Sequence, residues 1–189
     1  MNNILNDDLK YETIVLGAGC FWCTEAVFKM LKGVISVSPG YAGGEKANPI
    51  YEEVHSESTG HAEVVKIKYD PKIISFDDIL TVFFATHNPT TLNKQGNDVG
   101  SEYRSIILYT DDQQKKRIEK FIQTLNASGD KGKPIVTEVK MLGTFYDAEA
   151  EHKDYYKNHP EQSYCQIVIN PKIEKVKEQF SELLNRKFI

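Results

Sequence analysis

The sequence predicts an α+β fold, a mixed sheet with helices packed against it, from three observations. Apolar residues alternate at period two in short runs, most clearly over residues 61–69. They recur at helical spacing in longer runs at 76–84 and 118–125. Strands and helices mix without the strict alternation of a doubly wound parallel sheet.

Residues 11–16 read as the first strand, and residues 21–32 as a helix that stops at Gly33. Residues 34–37 form a second strand. From 39 to 60 the chain is rich in Gly, Pro, Asn, Ser and Glu and reads as a loop, long enough to suspect function. In the strand 61–69, period two puts Glu63 with Val65, Ile67 and Tyr69, and Lys66 and Lys68 with Ala62 and Val64. Glu63 is thus predicted on the apolar face. Ser75 caps a helix with Asp78 at the capping-box position and Asn88-Pro89 at its end; its stripe Phe76, Ile79, Leu80, Phe83, Phe84 is core. A polar loop over 90–103 leads to a strand at 105–109, after which Thr110 with Gln113 caps a helix carrying Ile118, Phe121, Ile122 and Leu125. A turn at 126–134, a strand at 135–141, a polar helix at 148–157, a last strand at 165–169 and a terminal helix at 171–186 complete the reading.

The 189 residues fit a single domain, 1–189, large enough to bury a core without disulfide staples. A net charge of -4 and a pI near 5.8 argue against a nucleic-acid partner; the triplet Lys115-Lys116-Arg117 reads as a solvated helix face. Residues 1–8 carry no basic start followed by an apolar run, and no stretch approaches the roughly 18 apolar residues of a membrane span. A cytoplasmic, soluble monomer without a membrane partner is expected. Three cysteines fit reactive thiols in a reducing compartment better than a disulfide framework.

The chemistry concentrates where Gly17-Ala18-Gly19-Cys20 follows the first strand and opens the first helix. Glycines permit the sharp turn, and the free N–H groups of the helix start favour a thiolate at Cys20. This predicts a nucleophile near neutral pH. Phe21 and Trp22 add apolar surface suited to a small, soft group beside the sulfur. Glu63, turned toward an apolar face, is expected to hold its proton and to act as an acid; a structural ion pair is the alternative. Tyr51 and Tyr103 lie in the two long loops, where a phenol offers a hydrogen bond. Asp98 either serves the pocket or folds its own turn. A dinucleotide fingerprint fails because its third glycine would fall at Trp22. Zinc on Cys20, Cys23 and Cys165 lacks a second closely spaced ligand pair, so neither metal nor cofactor is expected. A thioredoxin-type Cys20-x-x-Cys23 pair is a serious rival.

The motifs GCFWCTE (19–25), GYAGG (40–44), NPIYEEV (48–54), TGHAEVV (59–65) and QGNDVGSEYRS (95–105), with the Tyr164-Cys165 region, occur in family order. The chain resembles type A peptide methionine sulfoxide reductases over nearly its whole length. That resemblance implies a two-layer α/β sandwich and reduction of the S epimer of methionine sulfoxide, free or in proteins, with thioredoxin as reductant. It implies Cys20 as the nucleophile, Phe21 and Trp22 around the S-methyl group, and Glu63 as the acid aided by Tyr51 and Tyr103. It also implies that Asp98 supports the pocket and that Cys165 is the resolving thiol; the segment 160–164 has few helix signals and is expected to be mobile enough to swing Cys165 in. Two departures stand out. Position 23, commonly glycine in the family, is here a cysteine that competes for the resolving role. Residues 54–58 also differ from the usual sequence, without touching a proposed catalytic group.

Two other functions compete with this one. A thiol-disulfide oxidoreductase would use Cys20 and Cys23 and leave Glu63, Tyr51 and Tyr103 idle. A noncatalytic module for methionine-rich peptides would use Trp22 and waste the thiol.

Overall fold

The computed structural model describes residues 10–188; the reading of residues 1–8 lies outside them. A six-stranded sheet runs β7-β6-β1-β3-β2-β8. Its strands are β1 (Glu12–Ala18), β2 (Val34–Ala42), β3 (Ala62–Tyr69), β6 (Ser105–Tyr109), β7 (Glu138–Met141) and β8 (Tyr146–Asp147). Among the described residues only the β6–β7 pair of this sheet is parallel, so the sheet is mixed as the sequence predicts. The small hairpin β4 (Lys94–Gln95) and β5 (Asp98–Val99) stands apart from it.

Period two sorts the strands onto two faces. Ile14, Leu16, Val65, Ile67, Tyr69 and Ile107 join the main core with α1 (Phe21–Phe28), α3 (Phe76–Thr86), α4 (Asp112–Ser128) and α6 (Asn170–Gln179). Val15, Ala62, Val64, Ile106 and Leu108 form a smaller cluster on the opposite face, packed by Leu142 and Phe145. Helices on one face and a loop on the other make the predicted two-layer arrangement. At Gly40 a Cβ would lie 2.3 Å from both the Phe145 ring and the Tyr146 carbonyl oxygen, so glycine lets β8 and its preceding loop close on β2.

Several boundaries differ from the sequence reading, each for a visible reason. Helix α1 ends at Phe28, because residues 29–32 tighten into short turns and Lys32 donates its N–H to the Leu183 carbonyl. Strand β2 continues through Pro39 to Ala42; β8 pairs only with Gly40 and Tyr41, so the missing proline N–H meets no second partner strand. The loops at 39–60 and 90–103 contain α2 (Tyr51–His55), the β4–β5 hairpin and a 3-10 turn, Ser101–Tyr103. Ser75 and Asp78 form the predicted capping box, but Asp111 rather than Thr110 caps α4, accepting from the N–H groups of Gln113 and Gln114. The helix expected at 148–157 breaks at Asp154, whose left-handed φ of 56° separates a 3-10 turn from α5 (Tyr155–Asn158) and aims its N–H at the Glu25 carboxylate.

The largest correction is at residues 165–169. They form a π-helical turn, Cys165–Ile169, that feeds directly into α6, not a strand. Cys165, Ile169, Ile173 and Val176 are buried at helical spacing while Ile167 is exposed. The terminal helix then ends at Gln179, beyond which Leu184 bridges back to Leu31.

Candidate active site

Strand β1 delivers the chain to Gly19, whose φ of +86° and whose Cα, so close that a Cβ would lie 2.7 Å from the Gln95 side chain, both call for glycine. Cys20 follows as the N-cap of α1, with Cys23 at the third helical position. The side chain of Cys20 makes no cap bond. Its place is taken from across the sheet: Glu63, on the helix-facing side of β3, accepts the Phe21 N–H at 3.0 Å on Oε2. A carboxyl group thus stands at the positive end of the helix, within reach of the thiol.

Tyr51 from the start of α2, Asp98 from β5 and Tyr103 from the 3-10 turn converge on the same point. Together with Cys20, Phe21, Trp22, Glu63 and Tyr164 they line a cavity of about 190 Å³. All the sequence-predicted residues except the two further cysteines therefore share one cavity. Cys23 lies beneath it, its thiol donating to the Tyr164 hydroxyl at 3.8 Å, and that hydroxyl donates to Asp98 Oδ2 at 2.8 Å. Cys165 is fully buried within the π turn next to Tyr164, not on a free segment.

Burial dominates the electrostatics. It pushes the Glu63 carboxyl up to about 8, against the Phe21 N–H bond and with the negative charges of Glu102 and Asp98 adding to it. Glu63 is therefore mostly protonated at neutral pH. Burial also pushes the Cys20 thiol well above its ordinary value, and its bond to Cys23 and the charge of Glu63 act in the same direction. This corrects the expectation that the helix start would make Cys20 a thiolate. The negative charge is drawn instead to Cys23, pulled down to about 7 chiefly by the hydrogen bond from Cys20. The two sulfurs titrate as a pair. Burial raises Tyr51 to about 12 and raises Tyr103 and Tyr164, so all three hydroxyls keep their protons as donors.

Sequence reasoning missed the residues that hold this wall in place. Trp22 stacks on Tyr155 at 3.7 Å between ring centres and meets the Tyr164 ring edge-on. Its indole N–H donates to His152 Nδ1 at 3.2 Å, and the His152 ring packs on Phe21 and Tyr51. Glu149 accepts the Tyr41 hydroxyl at 2.7 Å and the Tyr51 N–H at 2.9 Å. The divergent segment 54–58 also enters the site: His55 stacks on Tyr51 and lies 3.4 Å from both the Tyr103 hydroxyl and Glu102 Oε1. The expectation that this segment touches no candidate catalytic group is thereby corrected. Nothing local in the sequence marks His152 or Glu149. Among the described residues, no three His, Cys, Asp or Glu side chains are grouped to hold a metal ion.

Trp22 is the sole tryptophan, so its emission reports this wall directly. His152→Leu removes the acceptor of the indole N–H on the half-buried Trp22, with an expected cost of about 1 kcal/mol. The emission maximum should move together with a lower urea midpoint; unchanged emission would mean the bond is not formed in solution.

A family model described as peptide methionine sulfoxide reductase matches residues 12–184. A relative from Picrophilus torridus named peptide methionine sulfoxide reductase MsrA is 54% identical over 170 residues, covering 90% of this chain and 96% of the relative. Among solved structures, reduced Mxr1 from Saccharomyces cerevisiae aligns with a TM-score of 0.78 at 34% identity, over 83% of this chain and 90% of that one. Mxr1 in complex with Trx2 aligns with a TM-score of 0.57 at 28% identity, over 79% and 87% of the two chains.

Proposed function

Because the chain belongs to the peptide methionine sulfoxide reductase A family, we propose that it reduces the S epimer of methionine sulfoxide, free or in proteins, with Cys20 as the nucleophile. The observation that carries this reading is the pairing, in one small cavity, of a thiol with a carboxyl group that keeps its proton at neutral pH.

Oxygen leaves sulfur poorly until it is protonated, so the reaction needs an acid and a nucleophile on different sides of the same sulfur atom. Glu63 supplies the proton, while the Tyr51 and Tyr103 hydroxyls hydrogen-bond the oxygen as charge builds on it. Phe21 and Trp22 hold the S-methyl group, and Asp98, bonded to Tyr164, supports the far wall. Cys20 attacks the sulfur as its proton passes to the neighbouring Cys23, whose own thiol is held at about 7. The attack forms a bond between the Cys20 sulfur and the substrate sulfur; the protonated oxygen then passes to the Cys20 sulfur as hydroxyl while that S–S bond and the substrate S–O bond break, so methionine leaves and Cys20 is left as a sulfenic acid. A second thiol then condenses with it to give a disulfide and water. Cys23 and Cys165 are the candidates for that thiol. Thioredoxin is the proposed reductant of the disulfide, supported by the yeast relative's complex with Trx2.

A sulfoxide sulfur is chiral, and a site fixing oxygen, methyl and attacking sulfur at three points accepts one epimer. The thiol-disulfide oxidoreductase reading gives Glu63, Tyr51 and Tyr103 nothing to do, although all three surround Cys20. The test is incubation with dithiothreitol and each epimer of a methionine sulfoxide peptide. Methionine should form from the S epimer and not from the R epimer; equal consumption, or none, overturns the reading.

A further inference from the structure

We propose that Cys23 is the thiol that first captures the Cys20 sulfenic acid, ahead of Cys165. This rests on Cys20 being the nucleophile. Cys20 is the N-cap of α1 and Cys23 the third residue of the helix, the spacing at which a capping side chain folds over the third position. Side chains three apart on a helix have Cβ atoms about 5–6 Å apart, and a disulfide asks for Cα atoms within about 7 Å. The non-helical backbone at Cys20, φ -52° and ψ 125°, frees its side chain from the helical direction.

The surroundings set both cysteines beside Tyr164. Cys23 donates to the Tyr164 hydroxyl at 3.8 Å, and Tyr164 lines the same cavity as Cys20. The charge of Lys172 also favours a thiolate at Cys23. Cys165 is placed differently. It is fully buried, and its backbone belongs to the π turn that continues into α6 rather than to a free segment. Burial, with the charges of Cys23 and Glu161, holds its thiol above the ordinary value.

The step is balanced within the protein. The Cys23 sulfur attacks the Cys20 sulfur, an S–S bond forms, the S–O bond breaks, and the hydroxyl leaves as water with the proton Cys23 carries. Cys20 is reduced and Cys23 oxidised, and no outside reagent is needed.

The experiment uses the full chain, one equivalent of S-epimer peptide, no reductant, rapid acid quench and peptide mapping, with all yields normalised to methionine formed. In the wild type the Cys20–Cys23 disulfide should be the first bond seen. In Cys165→Ser it should persist at about one per methionine. In Cys23→Ser, dimedone should trap a Cys20 sulfenic acid at least about tenfold more than in wild type, because capture has slowed. A first bond between Cys20 and Cys165, or its formation in Cys23→Ser at the wild-type rate per methionine, overturns the proposal while leaving the nucleophile intact. Failure of the wild type to form any methionine would instead sink the underlying reading of Cys20.

Discussion

Cys20→Ser is expected to lose turnover by on the order of 10⁴-fold or more, the scale on which removal of a nucleophile is felt, while the protein stays folded. Serine keeps the size and the N-cap position, but its hydroxyl is a far weaker acid and nucleophile than a thiol and does not give up its proton to Cys23 as the attack requires. Fold retention follows from the same geometry. The Cys20 side chain makes no cap bond, and the start of α1 is capped by Glu63 through the Phe21 N–H. The substitution also has a readout at its neighbour. Cys23 is held at about 7 mainly by the hydrogen bond from Cys20, so a serine donor in that place should largely preserve the depressed value. Alkylation of Cys23 against pH would check this, and methionine formation in single-turnover mode would check the first claim. Substantial sulfoxide reduction by Cys20→Ser would remove it from the role of nucleophile.

The site was legible in the sequence where a local rule decides the geometry. Two glycines before a cysteine, between an apolar strand and an apolar helix, specify an N-cap, and Cys20 is one. Period two specified the face of Glu63, and the strand register carries it to the helix start. Local rules failed where partners come from far along the chain. Trp22 and His152 are 130 positions apart, and nothing about either residue names the other. The Cys165–Ile169 turn was misread as a strand because five mostly apolar residues satisfy both periods; burial of Cys165, Ile169, Ile173 and Val176 decides for the helix. The thiolate expected at Cys20 failed for a related reason. A helix start is visible in sequence, but the burial that outweighs it comes from loops and strands folded over it.

Glu63→Gln separates chemistry from stability in opposite directions. The amide retains the shape and can still accept the Phe21 N–H, but it has no proton to give, so the chemical step should slow by at least about a hundredfold. In the wild type, single-turnover rate should rise as the cysteine pair ionises near 7 and fall as Glu63 ionises near 8. The falling limb should vanish in the variant. Stability should move the other way. Burial raises Glu63 from 4.5 to about 8 on folding, so the folded protein binds this proton more tightly than the unfolded chain. Its stabilising contribution is complete below about 4.5, declines by roughly 1.4 kcal/mol per pH unit above that, and is gone above about 8. Glutamine is neutral throughout and undergoes no such loss. Urea unfolding should therefore find the two proteins similar near pH 4.5 and the variant more stable by about 3 kcal/mol at pH 7. A variant equally stable at both pH values, with wild-type rates and an intact falling limb, would make Glu63 an ordinary capping carboxylate whose charge is tolerated in the folded protein.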